Sequence, residues 1–371
     1  MIYLDNAATT FPKPRSVIGE FLRAVRHYGG NPGRSSHFLS RQAARIVYET
    51  REEIASLFDG QPENVVFTLN ATYALNIAIN ALRKKNGLVL ISNFEHNAVL
   101  RPVAHGGEYE IFDASGSDEE VVSAFSSALS FKPSLVVCNH ASNLCGKVLP
   151  VEMIGKLCHE NGIPFIIDAS QSAGRRSLSL KDTFADAICA PGHKGLYGTQ
   201  GSGFAIFADK YRDGGSALFP FVHGGNGVNS FDAFMPDFLP ERFEGGTLPT
   251  PAIAALYAGI KEVKRITIPN IEYIENSLGR RLIEGLSVIK DVTVYGNYGG
   301  GTVLFNVDGI SSETIARKLD ENGICVRAGY HCCPLGHKVL NTPQGGAVRA
   351  SVSVYNSKYD IDQLLSVLNK K

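Results

Sequence analysis

Apolar residues in this chain fall into short, nearly continuous runs. Between several of those runs they recur three and four positions apart. The runs at 65–68, 88–92, 109–112, 135–138, 164–168, 187–190 and 203–207 read as strands buried on both faces. The spacing at 73–83, 118–129 and 151–161 reads as helices. Strands alternating with helices predict an α/β domain whose mostly parallel sheet is covered on both sides. Ligands of such a sheet sit beyond the carboxyl ends of the strands. Asn93, Asn139, Asp168 and Lys194 all fall on or just past such ends. A glycine-rich stretch over 224–247 and a long helical pattern at 251–265 follow. Beyond them lie helical patterns at 271–286, 312–322 and 361–369, and strand patterns at 292–295, 301–307, 325–328 and 347–354. That mixture predicts a smaller α+β layer, with a large domain over 1–250 and a small C-terminal domain over 251–371.

The 371 residues, 44% of them hydrophobic, suffice for two domains in close contact. The 36 basic and 36 acidic side chains cancel, and no basic run stands out. Neither nucleic acid nor an anionic membrane is therefore expected as a partner. The opening MIYLDNAATTFPKP lacks the pattern of a secretory leader, and no apolar run approaches the roughly 20 residues of a membrane span. Seven cysteines, an odd number in a long chain, argue against a disulfide framework and for a reducing, cytoplasmic setting.

Lys194 stands between glycines in APGHKGLYG, just after an apolar run. A lone lysine in such a loop is ordinarily a solvated charge. Here another apolar run ends in Asp168, and an amine at one strand end with a carboxylate at another is the pairing that pyridoxal phosphate needs. The lysine bonds the cofactor's aldehyde and the acid keeps the ring nitrogen protonated. A phosphate needs backbone N–H groups and hydroxyls at a helix start, and the turn Thr68–Thr72 offers them, although Asn70 or Thr72 would serve equally as a plain cap. Gln171 is placed to donate to the ring's phenolic oxygen. His96 is placed to stack on the ring or move protons, and Asn143 to orient substrate; each also reads as an ordinary loop or structural residue.

Together these strings resemble the cysteine desulfurase family, the class V branch of fold-type I pyridoxal-phosphate enzymes. The resemblance runs collinearly through YLDNAATT, NPGRSSH at Asn31–His37, the Asn70–Thr72 turn, EHNAV, HASN, DASQSAG, GHKGLYG, RFEGGT, RAGYHC and VRASVSVYN. It implies that Lys194 bonds the cofactor, Asp168 holds the pyridine nitrogen, Gln171 meets the phenolic oxygen and His96 stacks on the ring. Thr72, His193 and the Ala71 amide would hold the phosphate, and Asn143 would orient cofactor and substrate. Thr247 would reach the phosphate in the other subunit, which implies a homodimer with shared sites. Arg349 would grip the substrate carboxylate, a task that suits a guanidinium fork. The opening residues 1–15 would pack on the small domain.

The nucleophile decides the reaction. The family's catalytic cysteine falls on Cys332 in RAGYHCCP, on a loop expected to be mobile and partly exposed. Paired cysteines also read as small apolar core residues, and His331, Cys332, Cys333 and His337 as a zinc site, though without the two-residue gap of structural zinc motifs. The resemblance implies a pyridoxal-phosphate enzyme that converts L-cysteine to L-alanine and keeps the sulfur as a persulfide on Cys332. An acceptor protein, in iron–sulfur cluster biogenesis or a related route, would then take the sulfur. Selenocysteine lyase, or another class V lyase or aminotransferase for a small amino acid, is the alternative. The sequence departs from the family pattern at Pro191, where a hydroxyl residue is usual, and at Tyr73, Cys145, Tyr330 and the Cys332–Cys333 doublet.

Overall fold

The computed structural model describes residues 1–33, 37–213, 218–228, 230–296 and 298–369, so Arg34, Ser35 and Ser36 of the NPGRSSH string lie outside the described residues. In chain order the first elements are β1 (Ile2–Tyr3), α1 (Arg15–His27), α2 (Phe38–Phe58), β2 (Val65–Thr68), α3 (Ala71–Leu82), β3 (Val89–Ser92) and α4 (Asn97–His105). There follow β4 (Tyr109–Phe112), α5 (Asp118–Ala128), β5 (Leu135–Asn139), α6 (Val151–Glu160), β6 (Phe165–Asp168), β7 (Ala187–Pro191) and β8 (Gly203–Phe207). Seven of these strands form one sheet in the order β2-β8-β7-β6-β5-β3-β4. Only β8 runs against its neighbours, so the sheet is mostly parallel, as the alternation of runs predicts.

Successive residues of these strands feed opposite cores. Leu90, Val136 and Ile167 face the side covered by α2, α5 and α6, while Val89, Val137 and Ile166 face α3 and α4. With both faces buried, the strands appear in sequence as unbroken apolar runs, which made them readable. The edge strand β2 is capped by a loop: Glu244 accepts from Phe67 N at 2.6 Å and pairs with Arg51 at 2.7 Å. The strand order reverses between β3 and β5. Such a crevice is where ligands of open α/β sheets bind.

The alternation pattern assigns no helix before residue 65, yet α1 and α2 are there. Only Val17 and Ala24 of α1 are fully buried, so the face that packs is a narrow stripe amid polar residues. Helix α4 also escapes the pattern, because it is short and carries Pro102.

The remaining elements are α7 (Thr250–Ile266), α8 (Ile268–Ser287), β9 (Val292–Tyr295), β10 (Thr302–Val307), α9 (Ser312–Glu321), β11 (Ile324–Cys325), β12 (Arg327–Gly329), α10 (Pro334–Val339), β13 (Ala347–Ser351) and α11 (Lys358–Asn369). A four-stranded antiparallel sheet runs β12-β13-β10-β9. The strand pattern at 325–328 is two strands, because the chain changes sheets at Val326: β11 pairs with β1 and β12 with β13. The change of core falls within α8. Ile253, Leu256, Ile260 and Val263 of α7 and Ile271 of α8 join the large core, and the small core begins at Leu278. Leu4 belongs to that small core. Among the described residues no helix is long and apolar enough to cross a membrane.

Candidate active site

A cavity opens at the carboxyl ends of β5, β6 and β7. Its walls are Asn70, Ala71 and Thr72 at the start of α3, His96 and Ala98 at the start of α4, and Asn139, Ala141 and Asn143 at the end of β5 and beyond it. Asp168, Ser170 and Gln171 at the end of β6, with Pro191, His193 and Lys194 at the end of β7, complete them. Lys194, Asp168, Gln171, His96, Ala71, Thr72, His193 and Asn143 thus meet in one place. Cys332, Arg349 and Thr247 do not line this cavity.

Burial pulls the Lys194 amine down to about 8; Asp168 opposes the fall, and Arg349, Arg175 and Arg327 add to it. Asp168 is 4% exposed, and its Oδ1 accepts from Ser170 N at 2.9 Å, which leaves Oδ2 for another donor. The N-terminal segment fixes the lysine loop. Thr9 Oγ1 and Lys13 Nζ donate to His193 O at 3.1 and 2.7 Å, and Thr10 Oγ1 donates to Lys194 O at 2.9 Å. Gln171 Nε2 gives one hydrogen to Ala7 O at 2.9 Å and keeps a second, since an amide carries two.

At the other end, Asn70 caps α3 by accepting from Tyr73 N at 3.2 Å. The amides of Ala71 and Thr72 have no partner within the helix, and an anion suits them. Gly203 makes this possible: a Cβ there would stand 2.6 Å from the Asn70 backbone. Pro191 pairs with Gly203 across β7 and β8, so it extends the strand into the cavity wall without contributing a hydroxyl. His193 Nδ1 lies 3.0 Å from Thr9 Oγ1, and burial pushes this imidazole down to about 4.

His96 caps α4, its Nδ1 accepting from Ala98 N at 3.0 Å. That bond leaves the hydrogen of the neutral ring on Nε2. Burial holds His96 down to about 4 although Asp168 favours its charged form. Arg349 is 2% exposed and already has two partners: Nη1 donates to Asn143 O and Nη2 to Asp5 Oδ1, both at 2.8 Å. Asp5 belongs to the YLDNAATT string but had no assigned role; only contact across the fold reveals it.

Cys332 is exposed and Cys333 buried. Where the sequence suggests a mobile loop, the backbone here is tied on several sides. Asn97 N donates to Cys332 O at 2.8 Å, Asn143 Nδ2 to His331 O at 2.7 Å, and Cys333 Sγ to Phe94 O at 3.4 Å. Both His331 and Cys332 take left-handed backbone angles, with φ of 50° and 57°, which turns Cys332 outward. Among the described residues no three His, Cys, Asp or Glu side chains converge so as to hold a metal ion. Thr247 is exposed and accepts from Asn31 Nδ2 at 3.4 Å.

Gln171 Oε1, Asn143 Oδ1 and Asn139 Oδ1, on three residues of the cavity wall, are buried without partners. Unsatisfied buried polar atoms are costly, so these three favour a polar group in the cavity. Open helix amides, a carboxylate, a free amide hydrogen and a desolvated lysine in one cavity fit pyridoxal phosphate. Asn139, named in the sequence only for its place at a strand end, lines the cavity, as does Ser170, which the sequence reading missed.

The family model for aminotransferase class-V matches residues 2–364. A probable cysteine desulfurase of Methanothermobacter thermautotrophicus is 32% identical over 381 residues, spanning 100% of this chain and 94% of that protein. One from Pyrococcus abyssi is 32% identical over 383 residues, with the same coverage of 100% and 94%. The apo structure of cysteine desulfurase from Thermococcus onnurineus superposes with a TM-score of 0.92 at 32% identity, covering 100% of this chain and 94% of that one. An Escherichia coli cysteine desulfurase, at 23% identity and a TM-score of 0.89 over 99% and 94% of the chains, shares the fold. With the cavity, the fold and full-length likeness in agreement, the chain belongs to the class V aminotransferase family, in its cysteine desulfurase branch.

Proposed function

We propose that this enzyme uses pyridoxal 5'-phosphate to remove sulfur from L-cysteine, releasing L-alanine and keeping the sulfur on Cys332 for an acceptor protein. One observation carries the proposal. The loop of the exposed Cys332 is hydrogen-bonded to Asn97, the residue after His96, beside the cavity that holds Lys194 and Asp168. When bound, the cofactor supplies an aldehyde for the substrate amine and a protonated ring that accepts charge from the Cα–H bond.

The protein's groups do the rest. Asp168 keeps the proton on the ring nitrogen, and Gln171 gives its second N–H to the phenolic oxygen. The Ala71 amide, the Thr72 hydroxyl and His193 hold the phosphate, while His96 covers the ring face. Lys194 Nζ, pulled down to about 8, is unprotonated often enough near neutral pH to take the Cα proton. Arg349 offers its remaining N–H donors to the substrate carboxylate, and Asn143 aligns the substrate. Cys332 thiolate attacks the substrate sulfur: an S–S bond forms as the Cβ–S bond breaks, and the electron pair stays with the carbon fragment that leaves as alanine. Thr247, exposed in a single chain, would serve the cofactor of a second copy, so a homodimer is part of the proposal. So is a cytoplasmic setting, since all seven cysteines are unpaired and the attacking thiol must stay reduced.

The test is turnover of L-cysteine by the cofactor-loaded enzyme, scored as alanine and sulfide, with L-selenocysteine in parallel. Cys332→Ser should abolish sulfide release while the protein stays yellow. Full turnover by that variant would sink the assignment of the nucleophile. Preference for selenocysteine would move the substrate but keep the site.

A further inference from the structure

Glu95 is fully buried beside the cavity, and neither the sequence reading nor the mechanism uses it. Its Oε1 accepts the Ser92 hydroxyl at 2.5 Å and the Asn139 amide at 2.8 Å. The paired ladder of β3 and β5 ends at Ile91 and Val137. Beyond it β3 turns away toward α4, and the Glu95 carboxyl supplies the acceptor that Asn139 N would otherwise lack. Asn139 Nδ2 reaches back to Phe94 O at 2.8 Å, so the turn and the end of β5 are cross-linked twice. This clamp sits where the strand order reverses, immediately before the histidine that caps α4.

We propose that Glu95 is a positioning residue: by bridging Ser92 on β3 to Asn139 on β5, it holds the turn that presents His96 to the cavity. The inference rests on the reading of His96 as the residue that covers the cofactor ring. Glu95 faces no cation. The titratable groups around it are Asp168 on β6, the Cys138 thiol on β5 and the Cys333 thiol on the catalytic loop, with His96 adjacent in the chain. Its second oxygen is buried without a partner. Burial pushes this carboxyl up to about 8, with bonds from Ser92 and Asn139 pulling the other way and Asp168 adding to the rise. Burial of this depth favours the protonated form at neutral pH. The neutral form serves the site, because a second carboxylate beside Asp168 would disfavour the charge that Asp168 must keep.

A neutral glutamic acid can be replaced by glutamine, whereas an ionised one cannot. Infrared difference spectra of wild type and Glu95→Gln, with and without cofactor, test the protonation. Circular dichroism of the bound cofactor and steady-state kinetics test the positioning. We expect a protonated-carboxyl stretch at neutral pH in wild type that Glu95→Gln lacks. Glu95→Gln should keep the cofactor's dichroism and kcat near wild type. Glu95→Ala should alter the dichroism and lower kcat on the order of 10-fold or more with little change in KM, as misplacing a group near the chemistry does. A Glu95→Gln variant as impaired as Glu95→Ala, or a Glu95→Ala variant with wild-type dichroism and kcat, overturns the proposal, and absence of the carboxyl stretch overturns the neutral form. If Glu95→Ala does not fold, the infrared band and Glu95→Gln decide alone. Should wild type fail to act on L-cysteine, the band and the dichroism still report on Glu95, so the two readings fail separately.

Discussion

Arg349 shows how far a single residue's role depends on partners the chain brings from elsewhere. Two of its five N–H donors are committed, one to Asn143 O and one to Asp5, so the guanidinium plane is set before a substrate arrives. Lysine would keep the charge and lose the plane. Arg349→Lys should therefore lower kcat/KM for L-cysteine by about 10- to 100-fold, the worth of a charge-assisted hydrogen bond of about 1.5–3 kcal/mol. The loss should appear mainly in KM, with cofactor colour retained. Wild-type KM in that variant would mean that the carboxylate is held by another group. Lys194 and Asp168 were legible because each follows an apolar run that could only be a buried strand. Asp5 and Glu95 were not, since their importance lies in bonds to residues far away in sequence or across a strand pair.

At the level of elements, the site is made where β8 lies against the start of α3. Gly203 has no side chain because the Asn70 backbone occupies the space, and the Asn70 cap in turn leaves the Ala71 and Thr72 amides free. Gly203→Ala should push α3 away from the sheet. Strain of about 1–3 kcal/mol is the usual consequence of such overpacking. Cofactor affinity, measured by equilibrium titration of the apo protein, should weaken by about 10-fold where that strain reaches the phosphate end. Unchanged affinity would show that the helix start does not bind the phosphate. The same geometry explains Pro191. A proline at the end of β7 fixes the wall opposite Asn70 but gives no donor, so under the proposed function the anion falls to the helix amides, Thr72 and His193. Six of the seven large-sheet strands, all but the half-exposed edge strand β4, were readable for the reason that α1 was not. A strand buried on both faces writes itself as an apolar run, whereas a helix that buries one narrow stripe among polar residues does not.

Across the whole molecule, the buried titratable groups set opposing trends in stability. Burial lowers His96, His140 and His193 to about 4 and His331 to about 3, against an ordinary 6.5. The unfolded chain thus takes up protons that the folded one refuses, and stability falls as pH drops below 6.5. Glu95 acts in the opposite sense. Raised from 4.5 to about 8, it contributes fully below 4.5 and loses that contribution as pH climbs to 8. Buried Glu275, also raised, works in the same direction. Between 4.5 and 6.5 the four histidines outweigh the two carboxyls, so stability should rise with pH. Above 6.5 the histidines become neutral in both states, and the fall due to Glu95 meets a rise due to Lys13 and Lys194, both lowered from 10.5 to about 8, so the curve should level off. Beyond pH 8 the two lysines dominate, because their folded forms bind fewer protons than the unfolded chain does. Melting temperatures of the cofactor-free protein should therefore rise from pH 4.5 to 6.5 and change little from there to pH 8. Glu95→Gln should steepen the curve over the whole interval from 4.5 to 8, because Glu95 opposes the rise throughout it. A variant whose melting curve matches wild type over that interval would show that Glu95 ionises as readily in the fold as in the unfolded chain.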